Sequence, residues 1–302
     1  MDNNVQMEIK NFNISKNDSF GSITRRRLLV TASAAALFPI LKLKANTLLK
    51  TNRNIAYQTY GEGDLTLVFV HGWSCDSSYW SEQLDFFSQN YHVVTIDLGG
   101  HGASDVMRTD YTIESFGDDV LSVLDQLNSD NIILVGHSMG GPVVVDAASK
   151  LGNRVKAVIG VDTLKTVDAA PLSLDAARNA WVPFKDDFKN SIAVFVRNSF
   201  FIESSSPALV DQVSNDMASA DPEIALSAGA GLLSYNTPRA VRNITDIPLT
   251  LINAPEDPTK IEALEQVHGY HNVIIIPNTG HFVMMEKPLE FNTILSAEIE
   301  RL

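Results

Sequence analysis

The sequence predicts an α/β fold with a doubly wound, mostly parallel sheet and a helical cap inserted late in the chain. From residue 51 onward, short β-rich apolar runs alternate with amphipathic stretches, which is the pattern of strand–helix–strand crossovers. Several of these runs are nearly continuous in Val, Ile and Leu, as expected for parallel strands buried on both faces. Sheets of this kind place their functional residues at the carboxyl ends of the strands.

Seven strands and four helices follow from these patterns. The predicted strands are Ile55–Tyr60, Leu65–Val70, His92–Asp97, Ile132–Val135, Val155–Val161, Leu249–Ile252 and Val273–Ile276. The predicted helices are Tyr79–Phe87, Ile113–Leu127, Pro142–Leu151 and Pro288–Leu302. Residues 165–240 contain no clear strand run but many aromatic and helix-compatible residues. We therefore expect this stretch to be a helical cap over the carboxyl edge of the sheet.

The composition excludes several classes of protein. The chain has 302 residues, a net charge of −13 and one cysteine, and this length suits one large domain with its own core. Because Cys75 stands alone, neither an intramolecular disulfide nor a thiolate zinc cluster can form, and we expect no metal and no cofactor. We expect this thiol to be a small buried hydrophobe rather than a catalytic group. The acidic balance argues against a nucleic-acid partner.

Residues 1–45 predict an export signal. This segment holds seven Lys or Arg but only three Asp or Glu, in contrast to the acidic chain as a whole. Arg25, Arg26 and Arg27 precede an apolar run of 14 residues, Leu28–Leu41, which suits a signal-peptide core and is short for a spanning helix. The paired arginines before two leucines resemble a bacterial twin-arginine signal. We expect export by that machinery to the periplasm or beyond, without stable membrane insertion once the signal is removed; an uncleaved helix or anchor is the alternative.

The strongest local signal in the remaining chain, residues 46–302, is a Gly-x-Ser-x-Gly turn around Ser138. The turn follows the strand Ile132–Val135 and precedes the helix that begins at Pro142, which is the strand–turn–helix context of a nucleophile elbow. Gly136 and Gly140 remove side chains where the strand and the helix approach closely. The tight turn aims the Ser138 hydroxyl out of the sheet, so Ser138 is the predicted nucleophile.

A serine hydroxyl is a weak nucleophile and needs a base. Among seven histidines, His281 is the one that follows the last predicted strand, Val273–Ile276, and it stands beside the flexible Gly280. This places His281 at the same carboxyl edge as Ser138. We therefore predict that His281 is the catalytic base.

The base needs a carboxylate that fixes its tautomer and stabilises the imidazolium. Asp257 lies at the carboxyl end of the strand Leu249–Ile252, and the chain order Ser138, Asp257, His281 is the one expected of this architecture. We predict that Asp257 is the acid. Asp162, which follows the preceding strand, is the alternative, because a side chain there could also reach the base.

Two backbone amides are candidates for an oxyanion hole. The Met139 amide lies at the start of the helix after the nucleophile, where free N–H groups favour negative charge. The loop after the strand Leu65–Val70 supplies a second amide in this architecture, and Trp73 is the predicted donor; packing against the pocket is an alternative role for its side chain. The residues expected to line the substrate pocket are His71, Gly72, His137, Trp181, Phe184 and Phe282.

Together these motifs resemble the α/β-hydrolase superfamily. The matching segments are His71-Gly72-Trp73, residues 97–104, Gly136–Gly141, Asp257-Pro258 and Gly280-His281-Phe282. The resemblance runs from about residue 51 to 302, and it implies that the insertion at 165–240 is the cap of that family. The serine at the elbow is unlike the aspartate of dehalogenases and epoxide hydrolases. The Trp after His-Gly, with Ser-Met in the elbow, is similar to bacterial arylesterases and cofactor-free perhydrolases.

The predicted function is that of a serine hydrolase acting on a small-molecule carboxylic ester through an acyl-enzyme. The apolar cap favours an uncharged substrate. Three alternatives stay open: a perhydrolase or haloperoxidase-like enzyme, a carbon–carbon hydrolase, and a non-catalytic binding homologue. A pocket arginine would favour the carbon–carbon hydrolase, and Arg197 is the candidate.

The double change Arg25→Lys, Arg26→Lys tests the export signal. We expect the doubly substituted protein to stay in the cytoplasm, because the twin-arginine machinery reads the arginine pair itself. Fractionation of cells and immunoblotting of the full chain give the result. Periplasmic localisation identical to that of the unmodified chain would contradict this prediction.

Overall fold

The computed structural model describes residues 48–106, 108–269 and 271–302, and these contain one eight-stranded sheet and eleven α-helices. The strands are β1 (Leu49–Lys50), β2 (Ala56–Tyr60), β3 (Thr66–Val70), β4 (His92–Ile96), β5 (Ile132–His137), β6 (Val155–Val161), β7 (Leu249–Asn253) and β8 (His271–Ile275). The helices are α1 (Ser81–Phe87), α2 (Ile113–Leu127), α3 (Gly140–Leu151), α4 (Leu174–Ala180), α5 (Phe188–Ser199), α6 (Pro207–Met217), α7 (Pro222–Ser234), α8 (Thr237–Arg242), α9 (Ile261–Val267), α10 (Val283–Glu286) and α11 (Pro288–Glu300). The predicted export signal, residues 1–45, lies outside the described residues.

The sheet follows the order β1-β2-β4-β3-β5-β6-β7-β8. Strands β3 to β8 run parallel to one another, whereas β2 is antiparallel to both β1 and β4. This confirms the predicted α/β fold with a mostly parallel sheet. All residues of β3 and β5 are buried, as expected for central strands covered on both faces. The two-residue β1 was not predicted, because so short a strand has no periodicity to detect.

The strand register brings several loops to one edge of the sheet. Val70 pairs with Gly136, His137 with Val161, and Val161 with Ile252. The segments that leave β3, β5, β6 and β7 therefore begin side by side. This alignment determines which side chains meet above the sheet.

Helix α2 illustrates why the amphipathic stretches become helices. The Thr112 hydroxyl accepts from the Ser115 amide while the Ser115 hydroxyl accepts from the Thr112 amide, which forms a capping box. Asn128, in the left-handed conformation, ends the helix. The bounds of α2 match the prediction. Helix α9 was not predicted, since seven residues give a weak periodic signal.

The chain between β6 and β7 forms the cap, as the absence of strand runs there predicted. Helices α4 to α7 lie in this segment, and α8 leads back toward the sheet. Helix α7 sits very close to the loop before α2: a Cβ on Gly231 would overlap the Tyr111 carbonyl. None of the described helices is both long and apolar enough to cross a membrane.

Substitution Gly136→Ala tests the close approach of β5 and α3. An added Cβ would overlap the backbone carbonyl of Gly140, and backbone cannot move aside as a side chain tip can. We expect a loss of about 2–3 kcal/mol in the free energy of unfolding, measured by urea denaturation. Gly269→Ala is the matched control, because, its chain neighbours aside, no atom of the described residues lies within 4 Å of its added Cβ. Equal stability of both variants would contradict the packing described.

Candidate active site

Ser138 occupies a strained turn between β5 and α3. Its φ is 52°, a left-handed value that is unfavourable for residues other than glycine and common where a side chain is aimed for function. The Ser138 amide donates to the Val161 carbonyl at 3.0 Å, and the Ser138 carbonyl accepts from the Thr163 hydroxyl at 2.7 Å. The turn is thus attached to the end of β6, and the predicted elbow geometry is present.

His281 is held by a carboxylate from the loop after β6. Its Nδ1 lies 2.5 Å from Asp162 Oδ2, so the imidazole donates to Asp162 and leaves Nε2 as the basic nitrogen. Burial alone would raise the pKa of Asp162, but its hydrogen bond to His281 and the nearby charges of His281 and Lys165 hold that pKa below its usual value. The carboxylate is therefore kept ionised beside the imidazole.

The prediction that Asp257 is the acid was wrong, and the alternative, Asp162, takes that position. Asp162 is the first residue beyond β6, the strand that lies between the nucleophile strand β5 and β7. Its Oδ1 accepts from the Ala254 amide at 2.7 Å, which turns Oδ2 toward His281. Asp257 lies four residues beyond β7 and is solvent-exposed. It only lines a cavity of about 190 Å³ beside His281.

The cap holds the base from above. The His281 amide donates to the Phe200 carbonyl at 2.7 Å, and the two rings lie 4.5 Å apart at 33°. Glu286 joins the two segments, since its carboxylate accepts from the Gly280 amide at 2.8 Å and from the Ser205 hydroxyl at 2.7 Å. Neither Phe200 nor Glu286 was predicted for this role, because nothing in local sequence indicates which cap residue reaches the base.

The Met139 and Trp73 amides make no hydrogen bond to any other described residue. The loop that carries Trp73 lies against the nucleophile, since a Cβ on Gly72 would be 3.1 Å from Ser138 Cβ. His71 fixes this loop. The Leu98 amide donates to His71 Nε2 at 3.0 Å, so Nδ1 carries the proton and donates to the Gly72 carbonyl at 2.8 Å.

Three residues predicted to line the pocket instead support the site from behind. His71, His137 and Phe282 are at most 1% exposed, so they cannot line an open pocket. His137 Nε2 donates to the His281 carbonyl at 2.9 Å, and burial lowers the pKa of His137 to about 3. This ring is therefore a neutral support for the base.

A row of aromatic rings, the aromatic band, runs across the cap from the Trp73 loop to the base. Its members, in order, are Trp73, Trp181, Phe184, Phe195, Phe200 and the His281 ring. Successive centroids lie 4.9, 5.5, 5.5, 5.4 and 4.5 Å apart. Trp181 and Phe184, both predicted to line the pocket, belong to this band and are partly exposed. The Trp73 indole donates to the Ala225 carbonyl at 2.7 Å, which connects the band to α7.

The remaining candidates are structural. Cys75 is buried, its thiol donates to the Trp73 carbonyl at 3.3 Å, and burial raises its pKa well above the usual value. It is therefore an unreactive thiol beside the loop. Arg197 is exposed and ion-paired with Asp211 at 2.7 Å. Among the described residues, no group of three His, Cys, Asp or Glu side chains could hold a metal.

Comparison with known proteins agrees with the fold. Residues 67–294 match the alpha/beta hydrolase family, and the chain belongs to that family.

The relatives include lactone and ester hydrolases. The chain is 25% identical to 3-oxoadipate enol-lactonase 2 of Acinetobacter baylyi over 283 residues, which is 87% of this chain and 99% of the relative. It is similar to the structure titled "Est816 as an N-Acyl homoserine lactone degrading enzyme", with 26% identity, a TM-score of 0.69 and coverage of 80% of this chain and 96% of that one. A thermophilic esterase of Thermogutta terrifontis shares the fold, with 22% identity, a TM-score of 0.74 and coverage of 85% and 99%.

Labelling of Ser138 by an alkyl fluorophosphonate distinguishes the two carboxylates. We expect Asp162→Asn to slow labelling by about 10³- to 10⁴-fold, because the amide favours the wrong tautomer of His281. Asp257→Asn is the matched control and should label at the unmodified rate. Mass spectrometry of the labelled peptide at timed intervals measures both. Slow labelling of the Asp257 variant with normal labelling of the Asp162 variant would reverse the assignment.

Proposed function

We propose that this protein is a serine hydrolase that cleaves neutral carboxylic esters, lactones included, with Ser138, His281 and Asp162 as its triad. The observation that carries the proposal is the Asp162–His281 hydrogen bond of 2.5 Å at the sheet edge where Ser138 occupies its strained turn. Similarity to an enol-lactonase and to an N-acyl homoserine lactone degrading enzyme supports ester chemistry.

The reaction starts with transfer of the Ser138 hydroxyl proton to Nε2 of His281 while Oγ attacks the ester carbonyl carbon. The Met139 and Trp73 amides donate to the oxyanion that forms, and each such donor contributes about 3 kcal/mol to lowering the barrier. As the intermediate collapses, the alkoxide leaves with the proton from His281. The acyl group stays on Ser138.

Deacylation repeats these steps with water. His281 takes a proton from the water molecule, whose oxygen attacks the acyl carbon, and the proton then returns to Ser138 as the carboxylic acid is released. Asp162 stabilises the imidazolium in both halves of the reaction by accepting from Nδ1. For a lactone, the alcohol and the acid are the two ends of one opened product.

The aromatic band supports a neutral substrate. Trp181 and Phe184 offer apolar surface that favours acyl or aryl groups. Lys165 is paired with Asp162, and Arg197 with Asp211, so neither cation is free to bind a substrate carboxylate. A pocket arginine would have favoured a carbon–carbon hydrolase. Arg197 does not serve as one, because it is exposed on the cap and paired with Asp211.

The twin-arginine motif supports the further proposal that the enzyme acts outside the cytoplasm. A fold that needs no disulfide suits both a reducing and an oxidising compartment.

Pre-steady-state hydrolysis of p-nitrophenyl butyrate tests the proposed function. We expect a burst of p-nitrophenol equal to the enzyme concentration, because an acyl-enzyme accumulates, and Ser138→Ala should lower kcat by at least about 10⁴-fold. Ser149→Ala, on the exposed far end of α3, is the matched control and should keep full activity.

The preference for a neutral substrate is tested with two esters that share the p-nitrophenol leaving group and differ in the charge of the acyl group. We expect kcat/KM for p-nitrophenyl butyrate to exceed that for the anionic mono-p-nitrophenyl succinate by at least about tenfold, since burying an unpaired carboxylate costs more than 1.4 kcal/mol. Full activity of Ser138→Ala would overturn the proposed triad. A preference for the succinate would overturn the neutral-substrate proposal. Stoichiometric binding of a lactone without turnover would instead identify a receptor.

A further inference from the structure

The triad carboxylate is shared between the base and a lysine. Asp162 Oδ2 receives the hydrogen bond of His281, and Asp162 Oδ1 lies 2.7 Å from Lys165 Nζ. The same ammonium donates to the Glu256 carbonyl at 2.6 Å. The Lys165 side chain is only 15% exposed, so water screens this ion pair less than it screens a surface pair.

The backbone around Lys165 orients the ammonium toward the site. Leu164 has a φ of 53°, which turns the chain sharply just before the lysine. The Lys165 carbonyl accepts from the Lys260 amide at 2.9 Å, so the segment after β6 is anchored to the segment after β7. Lys165 therefore reaches Asp162 and Glu256 from a fixed position.

The charges around His281 show why this lysine matters. The neutral His137 ring lies 4.7 Å from the His281 ring, and the Glu286 carboxylate accepts from the amide of the adjacent Gly280. Glu256 and Asp257 line the cavity beside it. Among these groups Lys165 is the cation, and it is separated from the imidazole by one carboxylate.

A cation on Asp162 has two opposite effects on catalysis. It keeps the carboxylate ionised and oriented, in line with the pKa of Asp162, which His281 and Lys165 lower against the effect of burial. It also offsets part of the negative charge that stabilises an imidazolium. The imidazolium therefore faces a smaller net negative charge than an isolated carboxylate would present, and removal of the lysine would restore that charge.

We propose that Lys165 is a positioning residue that sets the pH range of catalysis through its ion pair with the triad carboxylate. This proposal rests on the proposed hydrolase function. The Lys165 ammonium contacts the Asp162 carboxylate and the Glu256 carbonyl, so it acts on the base through Asp162. Its contribution therefore concerns the protonation of the base rather than substrate binding.

The pH dependence of kcat/KM for p-nitrophenyl butyrate tests the proposal. Lys165→Gln removes the charge but can still donate to the Glu256 carbonyl, and Lys165→Met removes both. In both variants we expect the acid limb of the profile to move to higher pH by about one pH unit, with little change in KM. Lys165→Arg should leave the limb in place, because it keeps the charge.

The matched control is Lys260→Met. Lys260 belongs to the neighbouring segment and is ion-paired with Asp168 at 3.2 Å on the surface. Removing the Lys260 charge changes the net charge as much as removing the Lys165 charge does, without affecting Asp162. The acid limb of the Lys260→Met profile should therefore coincide with that of the unmodified protein. A shift in this control as large as that of Lys165→Gln would overturn the proposal, because it would reflect net charge alone.

A second measurement does not depend on turnover. In the full chain labelled with ¹³C-histidine, the His281 ring signal, assigned with His281→Gln, can be followed against pH. We expect its titration midpoint to move upward in Lys165→Gln by the same amount as the acid limb. An unmoved midpoint and limb, even with lower kcat or lower stability, would overturn the proposal. Failure of the hydrolase function would appear separately, as the absence of Ser138-dependent hydrolysis.

Discussion

The hydrogen bond between His281 and Asp162 is the interaction on which the site depends. It joins the loop after β8 to the loop after β6, across the end of β7, and so brings the base toward the nucleophile on β5. The strand register makes this possible, since β5, β6 and β7 end side by side. Without a carboxylate at the end of β6, the His281 imidazole would lose its hydrogen-bond partner at Nδ1.

The cap contacts the proposed catalytic groups as well as covering them. The Phe200 carbonyl accepts from the His281 amide, and the Phe200 ring packs on the imidazole. The Trp73 indole donates to the Ala225 carbonyl of α7. The base and the proposed oxyanion loop are therefore both attached to cap helices. A displacement of the cap would therefore disturb both groups at once. The aromatic band connects the same two groups, from Trp73 to His281.

Strong periodic patterns made most of the fold predictable from sequence. The continuous apolar runs located seven of the eight strands, and the bounds of α2 agreed with the structure. The elbow was predictable because its glycines are needed for close backbone approach. Short elements such as β1 and α9 lacked enough residues for a periodic signal. The roles of Phe200 and Glu286 depend on tertiary contacts between distant segments, which local sequence does not encode.

The choice of acid was the main error, and its cause is geometric. Asp257 had the expected chain order, but order does not determine how far a loop carries a side chain beyond its strand. Asp162 follows β6 without an intervening residue and accepts from the Ala254 amide, whereas Asp257 lies farther along its loop. The position of β6 between the nucleophile strand and β7 was the signal that could have favoured Asp162.

A crystal structure of the full chain with an alkyl phosphonate on Ser138 tests this account most directly. The account predicts a phosphonyl oxygen about 3 Å from both the Trp73 and Met139 amides. It also predicts that His281 Nδ1 still donates a hydrogen bond to Asp162, and that Asp162 is still ion-paired with Lys165. An adduct on another residue, or a His281 ring bonded to Asp257, would contradict it.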